Sequence, residues 1–302
     1  MTNADFLARV ASAPISWGIC EVPGWGAMLP TSRVLGEMAS LGLPATELGA
    51  PGFLPERPEE LLETLAAVDM SLIGGFTPLV LHDRAQRTAA LDTARRTARS
   101  FEQCGATMFV SAIVMDEAWS IPRALDPGER RHLVDMLHAV DEICGEHGLT
   151  QVLHPHVQTV VETRADVERL QDESDVRWCL DTGHLAIGGV DPVAFAREMG
   201  ERVGHVHLKD VNLGKAPAVL DRSTSIMASV QDGLFTPLGQ GDVPIAEVIE
   251  VLEGQGYRGW YVIEQDTALT SGLPAEGSGP VEDVRTSLDY LREVVAPRLA
   301  TP

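Results

Sequence analysis

Basic residues are scarce in this chain. Across 302 residues, 23 Lys and Arg stand against 44 Asp and Glu, a formal net charge of −21. Phosphate backbones and anionic membranes need Lys and Arg to neutralise them, so this balance argues against a nucleic-acid or membrane surface. No stretch approaches the roughly 18 apolar residues of a membrane span, and the opening MTNADFLARV has no apolar signal-peptide region. A reducing cytoplasm is therefore the expected compartment. Cysteine is also sparse: Cys20, Cys104, Cys144 and Cys179 fall at wide, irregular spacings. Without a CxxC pair there is no signal for a zinc ribbon or a redox motif. A phosphate-cradling glycine turn is missing as well, because SWGICEVPGWG lacks the GxGxxG spacing and does not enter a helix directly.

What is present is a steady alternation. Hydrophobic residues make up 44% of the chain and charged ones 22%, enough for a sizeable core. Eight short apolar runs read as strands: 12–17, 44–49, 71–76, 107–113, 150–156, 176–181, 204–209 and 260–265. Amphipathic segments lie between them, such as RRHLVDMLHAVDEICGEHG, which ends on the helix-capping Gly148. Eight strands each followed by a helix predict an α/β protein, a single (β/α)8 TIM-type barrel over residues 1–302. An open doubly wound sheet is the rival, disfavoured by the missing glycine turn. The stretch 210–240 is too long for an ordinary connection, and by its place after a strand it belongs to the mouth of the barrel. Composition marks the first few residues and 267–280 as flexible.

Strands alternate faces, so polar residues two apart share one side. His154 and His156 do so on the fifth strand, Cys179 and Asp181 on the sixth. His205, His207 and Lys209 share a side of the seventh, and Trp260, Val262 and Glu264 of the eighth. Taken singly, each has a bland reading: a strand-end Asp is often a helix cap, and a lone His a satisfied core residue. Four strands ending in His, Asp, His and Glu outweigh it. A mixed N/O set at one end of a barrel suits a divalent ion, Mn²⁺ or Co²⁺ first, with Mg²⁺ or Zn²⁺ as alternatives.

The motifs carry a resemblance over nearly the whole chain. APISWG, ATELG, LHPHVQT, CLDTGHL, HVHLKDV, GLFTPLGQGDVPI and GYRGWYVIEQD together resemble the sugar isomerase/epimerase family with the xylose-isomerase-like barrel. HLKD, FTPLGQGD and VIEQD are similar to its inosose (2-keto-myo-inositol) dehydratase branch. The resemblance implies metal ligands at Asp181, His207 and Glu264. Most isomerase and epimerase members carry Glu at the fifth-strand tip, and this chain has His154, which spacing favours over His156 as the fourth ligand. In the epimerases that Glu pairs with the last-strand Glu to move a proton between two faces of a carbon, so its replacement turns the expectation toward dehydration.

Dehydrating a β-hydroxy ketone requires carbonyl polarisation, α-proton removal and protonation of the departing hydroxyl. Proton transfer is assigned to His156 or Glu264. Lys209 is assigned to oxyanion stabilisation, with a plain salt bridge as its alternative. The resemblance suggests a substrate hydroxyl contact for Glu47. His184 would touch substrate or orient Asp181. Trp17 and Trp25 are candidates for an apolar wall against a sugar or cyclitol ring, with core packing as the bland alternative. The expected function is a metal-dependent lyase on a cyclic polyol ketone, with an isomerase or epimerase as the alternative. DNA repair conflicts with the charge; a non-catalytic binding barrel and a homo-oligomer are both compatible with the sequence.

Overall fold

Parallel strands buried on both faces need helices outside and a closed interior, and a computed structural model of the chain, which describes residues 3–299, shows that arrangement. Of the first few residues expected from composition to be flexible, 1 and 2 lie outside the described residues and Asn3–Leu7 forms a short helix. In chain order the strands are β1 (Val10–Ser12), β2 (Ala45–Thr46), β3 (Ser71–Leu72), β4 (Gly74–Leu79), β5 (Met108–Ile113) and β6 (Thr150–Leu153). They continue as β7 (Trp178–Asp181), β8 (Val203–Leu208), β9 (Asp210–Val211), β10 (Phe235–Thr236) and β11 (Tyr261–Ile263). Nine of them form one parallel sheet in the order β3-β2-β1-β11-β8-β7-β6-β5-β4. β3 and β4 are two halves of a single barrel position, broken at Ile73. Its N–H donates to Thr46 O at 2.9 Å, while its O accepts from Thr107 and Met108 at 3.0 Å each. The residue thereby joins the two edges of the sheet, and the barrel is nearly closed. At the break a Cβ on Gly74 would collide with Met108 O, so glycine is what the close approach allows.

The first strand departs from expectation. It covers Val10–Ser12, and Pro14–Trp17 forms a 3-10 turn instead of extended chain. Pro14 has no N–H to give a ladder and its fixed φ suits the start of a helical turn. Gly18, at φ 78°, closes that turn in the left-handed region.

Alternation along the strands sorts the core into two shells. Ala11, Ala13, Ala45, Ile73, Met108, Val110, Val152, Cys179 and Val262 fill the barrel interior. Their neighbours, including Trp17, Trp178 and Tyr261, pack outward against the helices. Among the helices, Pro127–Glu146 shows how local sequence sets the ends. Asp126 and Glu129 form a reciprocal capping box at its start, and Gly148 at φ 70° follows its end. Among the described residues no helix is long and apolar enough to cross a membrane.

The long connection after β8 is folded. β9 pairs antiparallel with β10, and short helices Ala216–Leu220 and Ile226–Gln231 lie between them. Buried Asp210 anchors it: Oδ1 accepts from Val211 (2.9 Å) and Val243 (3.0 Å), and Oδ2 from Gly239 (2.8 Å) and Gly241 (3.0 Å). This links the HLKD and LGQGD segments physically. The stretch 267–279 has no regular structure, yet Arg33 holds it by donating to Pro274 O at 2.6 Å and Ala275 O at 2.7 Å.

Candidate metal centre

Register brings the late strands' polar tips to one height. Asp181 on β7 pairs with His207 on β8, and His207 pairs with Val262 on β11, two residues before Glu264. His154 follows the last residue of β6, fixed by its N–H donating to Ser111 O at 2.8 Å. One potential ligand atom from each of His154, Asp181, His207 and Glu264 lies within 4.8 Å of the other three, and all four residues are buried. His207 Nδ1 is the hub, 3.0 Å from His154 Nε2, 2.9 Å from Glu264 Oε2 and 3.7 Å from Asp181 Oδ2.

Asp181 divides its two oxygens between two tasks. Oδ1 caps the helix Thr182–Ile187 by accepting from His184 N–H at 2.7 Å. Oδ2 faces the ring with no hydrogen-bond partner, 3.3 Å from His154 Nε2. The cap reading and the ligand reading of this residue thus apply to different atoms. Burial pushes the Asp181 carboxyl up, but His184 and Lys209 outweigh it and keep it well below its usual range. Glu264, likewise buried, is held at about 2 by His207 and Lys209. Two buried carboxylates, two imidazoles and an unpartnered carboxylate oxygen aimed into their midst form a donor set that could hold a divalent metal.

Lys209 forms the cationic rim. Its Nζ sits 2.6 Å from Asp266 Oδ1, 3.1 Å from Glu264 Oε2 and 3.2 Å from His184 Nε2, with Phe235's ring beneath it at 5.1 Å. Burial opposes its charge, and the three carboxylates Asp266, Glu264 and Asp181 overcome that and raise its pKa. His156 is pinned by its Nδ1, 2.6 Å from Val157 O, an acceptor that fixes the proton on that nitrogen and leaves Nε2 a bare lone pair. Burial, then His154 and Lys209, lower its pKa to about 3, so the ring is neutral. His184 stacks on it with centroids 3.9 Å apart, and its Nδ1 accepts from Val157 N–H.

Two expected substrate contacts are placed elsewhere. Glu47 is buried beside the ring, and its Oε1 is occupied by His205 Nε2 at 2.7 Å and His207 Nε2 at 2.9 Å. Trp17 belongs to the outer shell, where its Nε1–H donates to Glu37 Oε2 at 2.8 Å. The side chain following Ser16 points toward the helices and cannot wall the interior. Trp25 is buried with its Nε1–H on Thr267 O at 2.8 Å. The aromatic wall beside the ring comes from Phe76 and Trp119, which sequence reasoning missed. They stack at 6.1 Å and 19°, lie 5.6 and 5.9 Å from His156, and both stay partly exposed. Trp119 lies in a connection without periodicity; its one sequence signal is a lone Trp among polar residues just past a strand.

A family model described as the xylose isomerase-like TIM barrel matches residues 35–294. The chain belongs to that family. Its relatives include an inosose dehydratase of Geobacillus kaustophilus, 33% identical over 278 residues, 86% of this chain and 89% of that one. An inosose dehydratase of Salmonella typhimurium is 28% identical over 285 residues, 88% of this chain and 91% of its own. With such relatives over most of its length the chain is an enzyme. The IOLI protein, solved with a bound zinc atom, superposes with a TM-score of 0.68 at 15% identity, covering 97% of this chain and all of that one; at that identity the likeness speaks for the fold.

Proposed function

We propose that this enzyme dehydrates a cyclic polyol ketone such as 2-keto-myo-inositol, with a divalent metal held by His154, Asp181, His207 and Glu264. The observation that carries the reading is the convergence of these four buried groups around an unpartnered Asp181 oxygen. When bound, such an ion supplies Lewis acidity to the substrate carbonyl. His156 acts as the base: its proton-free Nε2 takes the hydrogen from the α-carbon while Nδ1–H stays on Val157 O. The same imidazole then returns that proton to the departing β-hydroxyl, so water leaves, a C=C bond forms and the enol relaxes to a dione. Glu264, the other candidate for this step, is ionised and already engaged by His207 and Lys209. The Lys209 ammonium offsets negative charge that builds on the substrate oxygens. Phe76 and Trp119 offer their ring faces to the C–H side of the cyclitol.

A carbon inverted by two bases needs a carboxylate opposite Glu264, and the fifth-strand position is His154. Incubation of the metal-loaded enzyme with 2-keto-myo-inositol should therefore generate the ultraviolet absorbance of a conjugated dione. A new ketose or inosose isomer by chromatography, with no chromophore, would replace this reading with an isomerase or epimerase.

A further inference from the structure

Glu47, from the early strands, reaches the metal ring through His207, whose Nε2 it meets while Nδ1 faces the ring. It follows β2, is 2% exposed, and its Oε1 lies 2.7 Å from His205 Nε2 and 2.9 Å from His207 Nε2. Both imidazoles are themselves fully buried. An ionised carboxylate has no proton to give, so each Nε2 must be the N–H donor in its contact. For His207 the consequence is specific. A neutral imidazole carries one proton, and with it on Nε2 the lone pair rests on Nδ1, the atom facing His154, Asp181 and Glu264. The opposite tautomer would set a bare Nε2 against a carboxylate and close Nδ1 to any cation.

We infer that Glu47 is a positioning residue: it fixes His207 in the Nε2–H tautomer and sets its ring angle, so that Nδ1 is held ready as a metal ligand. The inference rests on the metal reading given above. It gives Oε1 a role other than the expected substrate contact, since that oxygen already accepts from two imidazoles. His205 completes the arrangement. Its own N–H on the same oxygen keeps Oε1 in place, and its position on β8, two residues before His207, puts both donors on one side of one strand. Supporting carboxylates of this type commonly alter metal affinity by about 10- to 100-fold.

The test uses the full chain, Zn²⁺ as a diamagnetic probe, and the variants Glu47→Leu, Glu47→Gln and Asp181→Asn. Zn²⁺ affinity is read by chelator competition, and the His207 ring nitrogens by ¹⁵N NMR of the Zn²⁺-loaded wild type. Glu47→Leu should weaken Zn²⁺ binding about 10- to 100-fold. Glu47→Gln keeps an accepting oxygen and should recover most of that loss. In the wild type His207 Nε2 should carry the proton. A His207 found protonated on Nδ1 overturns the inference, and this measurement needs no variant to fold. So does a Glu47→Leu protein that binds Zn²⁺ like wild type, or equal losses in both Glu47 variants accompanied by a lower metal-free melting temperature. If instead Asp181→Asn also binds Zn²⁺ like wild type, the ring itself is not the metal site and the underlying reading fails, separately from the role of Glu47.

Discussion

The two halves of this barrel are built from different chemistry. The strands from β1 to β5 line the interior with Ala11, Ala13, Ala45, Ile73, Met108 and Val110. The strands from β6 onward end in His154, Asp181, His207 and Glu264, with Lys209 and His184 around them. Small and apolar side chains on one side let the backbones approach, and they ask nothing of the solvent or of a ligand. On the other side, several charged groups share a volume from which water is largely excluded, a costly arrangement unless each is paired. Among the atoms left without a hydrogen-bond partner, which include His154 Nδ1 and His205 Nδ1, Asp181 Oδ2 faces the histidines at the point where a cation would engage it. The polar groups that could hold a metal are therefore concentrated in half of the scaffold, and the other half supplies apolar packing, one carboxylate from Glu47 and the stacked rings of Phe76 and Trp119.

The largest effect should come from breaking the late half at its ring. Asp181→Asn keeps an oxygen to cap the helix Thr182–Ile187 but removes the negative charge facing the histidines. It should abolish tight metal binding and lower kcat by on the order of 10³-fold, the scale of several kcal/mol of lost Lewis-acid stabilisation. Circular dichroism should remain that of wild type. Metal content by mass spectrometry, set beside turnover, checks the two together.

Next in size is His156→Phe, which fills the same space against Phe76 and His184 without a lone pair. Turnover should fall by about 10²- to 10⁴-fold, the range for a lost general base, while Zn²⁺ affinity stays within a few-fold of wild type. A variant that loses metal and activity in parallel would make His156 a ligand and demote His154.

These contrasts also explain what could be read in the chain beforehand. The late strands were legible because two-residue alternation puts His205, His207 and Lys209 on one side whatever the fold's details. The end of the Pro127–Glu146 helix was legible from Gly148, whereas its start, set by Asp126 and Glu129, lies before the RRHL run that was read as helical. The first strand was misplaced because SAPISW is apolar enough to read as extended, while Pro14 commits the backbone to a turn. The break at Ile73 was invisible, since SLIGGF reads as continuous and the interruption exists only to join both edges of the sheet. Glu47 and Trp119 act through partners about 160 and 40 residues away, Glu47 with His207 and Trp119 with His156, which local pattern cannot supply.

Asp210 belongs to the late half, in the long connection after β8, and tests whether the mouth is rigid. Its two oxygens hold four backbone N–H groups from β9 and the 239–243 segment. Asp210→Ala strands these donors and should cost roughly 3 kcal/mol in urea unfolding, given about 1.5–3 kcal/mol for a hydrogen bond to a charged group and partial recovery by water. Proteolysis should then begin between residues 213 and 238, with metal affinity unchanged. Cleavage elsewhere would show that the connection is held by other contacts.

The smallest effect belongs to the early half. Ile73 is buried inside the barrel, among Ala45 and Met108, and joins the sheet edges through its backbone alone. Ile73→Val removes one methylene and leaves those hydrogen bonds in place. The expected cost is about 0.5–1.5 kcal/mol, the usual range for this change in a core. Metal affinity and kcat should not move, because no polar group of the ring depends on that methyl. A shift in Zn²⁺ affinity beyond a few-fold would mean that packing in the apolar half sets the spacing of His154 and His207 across the barrel. The division between scaffold and site would then be one of composition only.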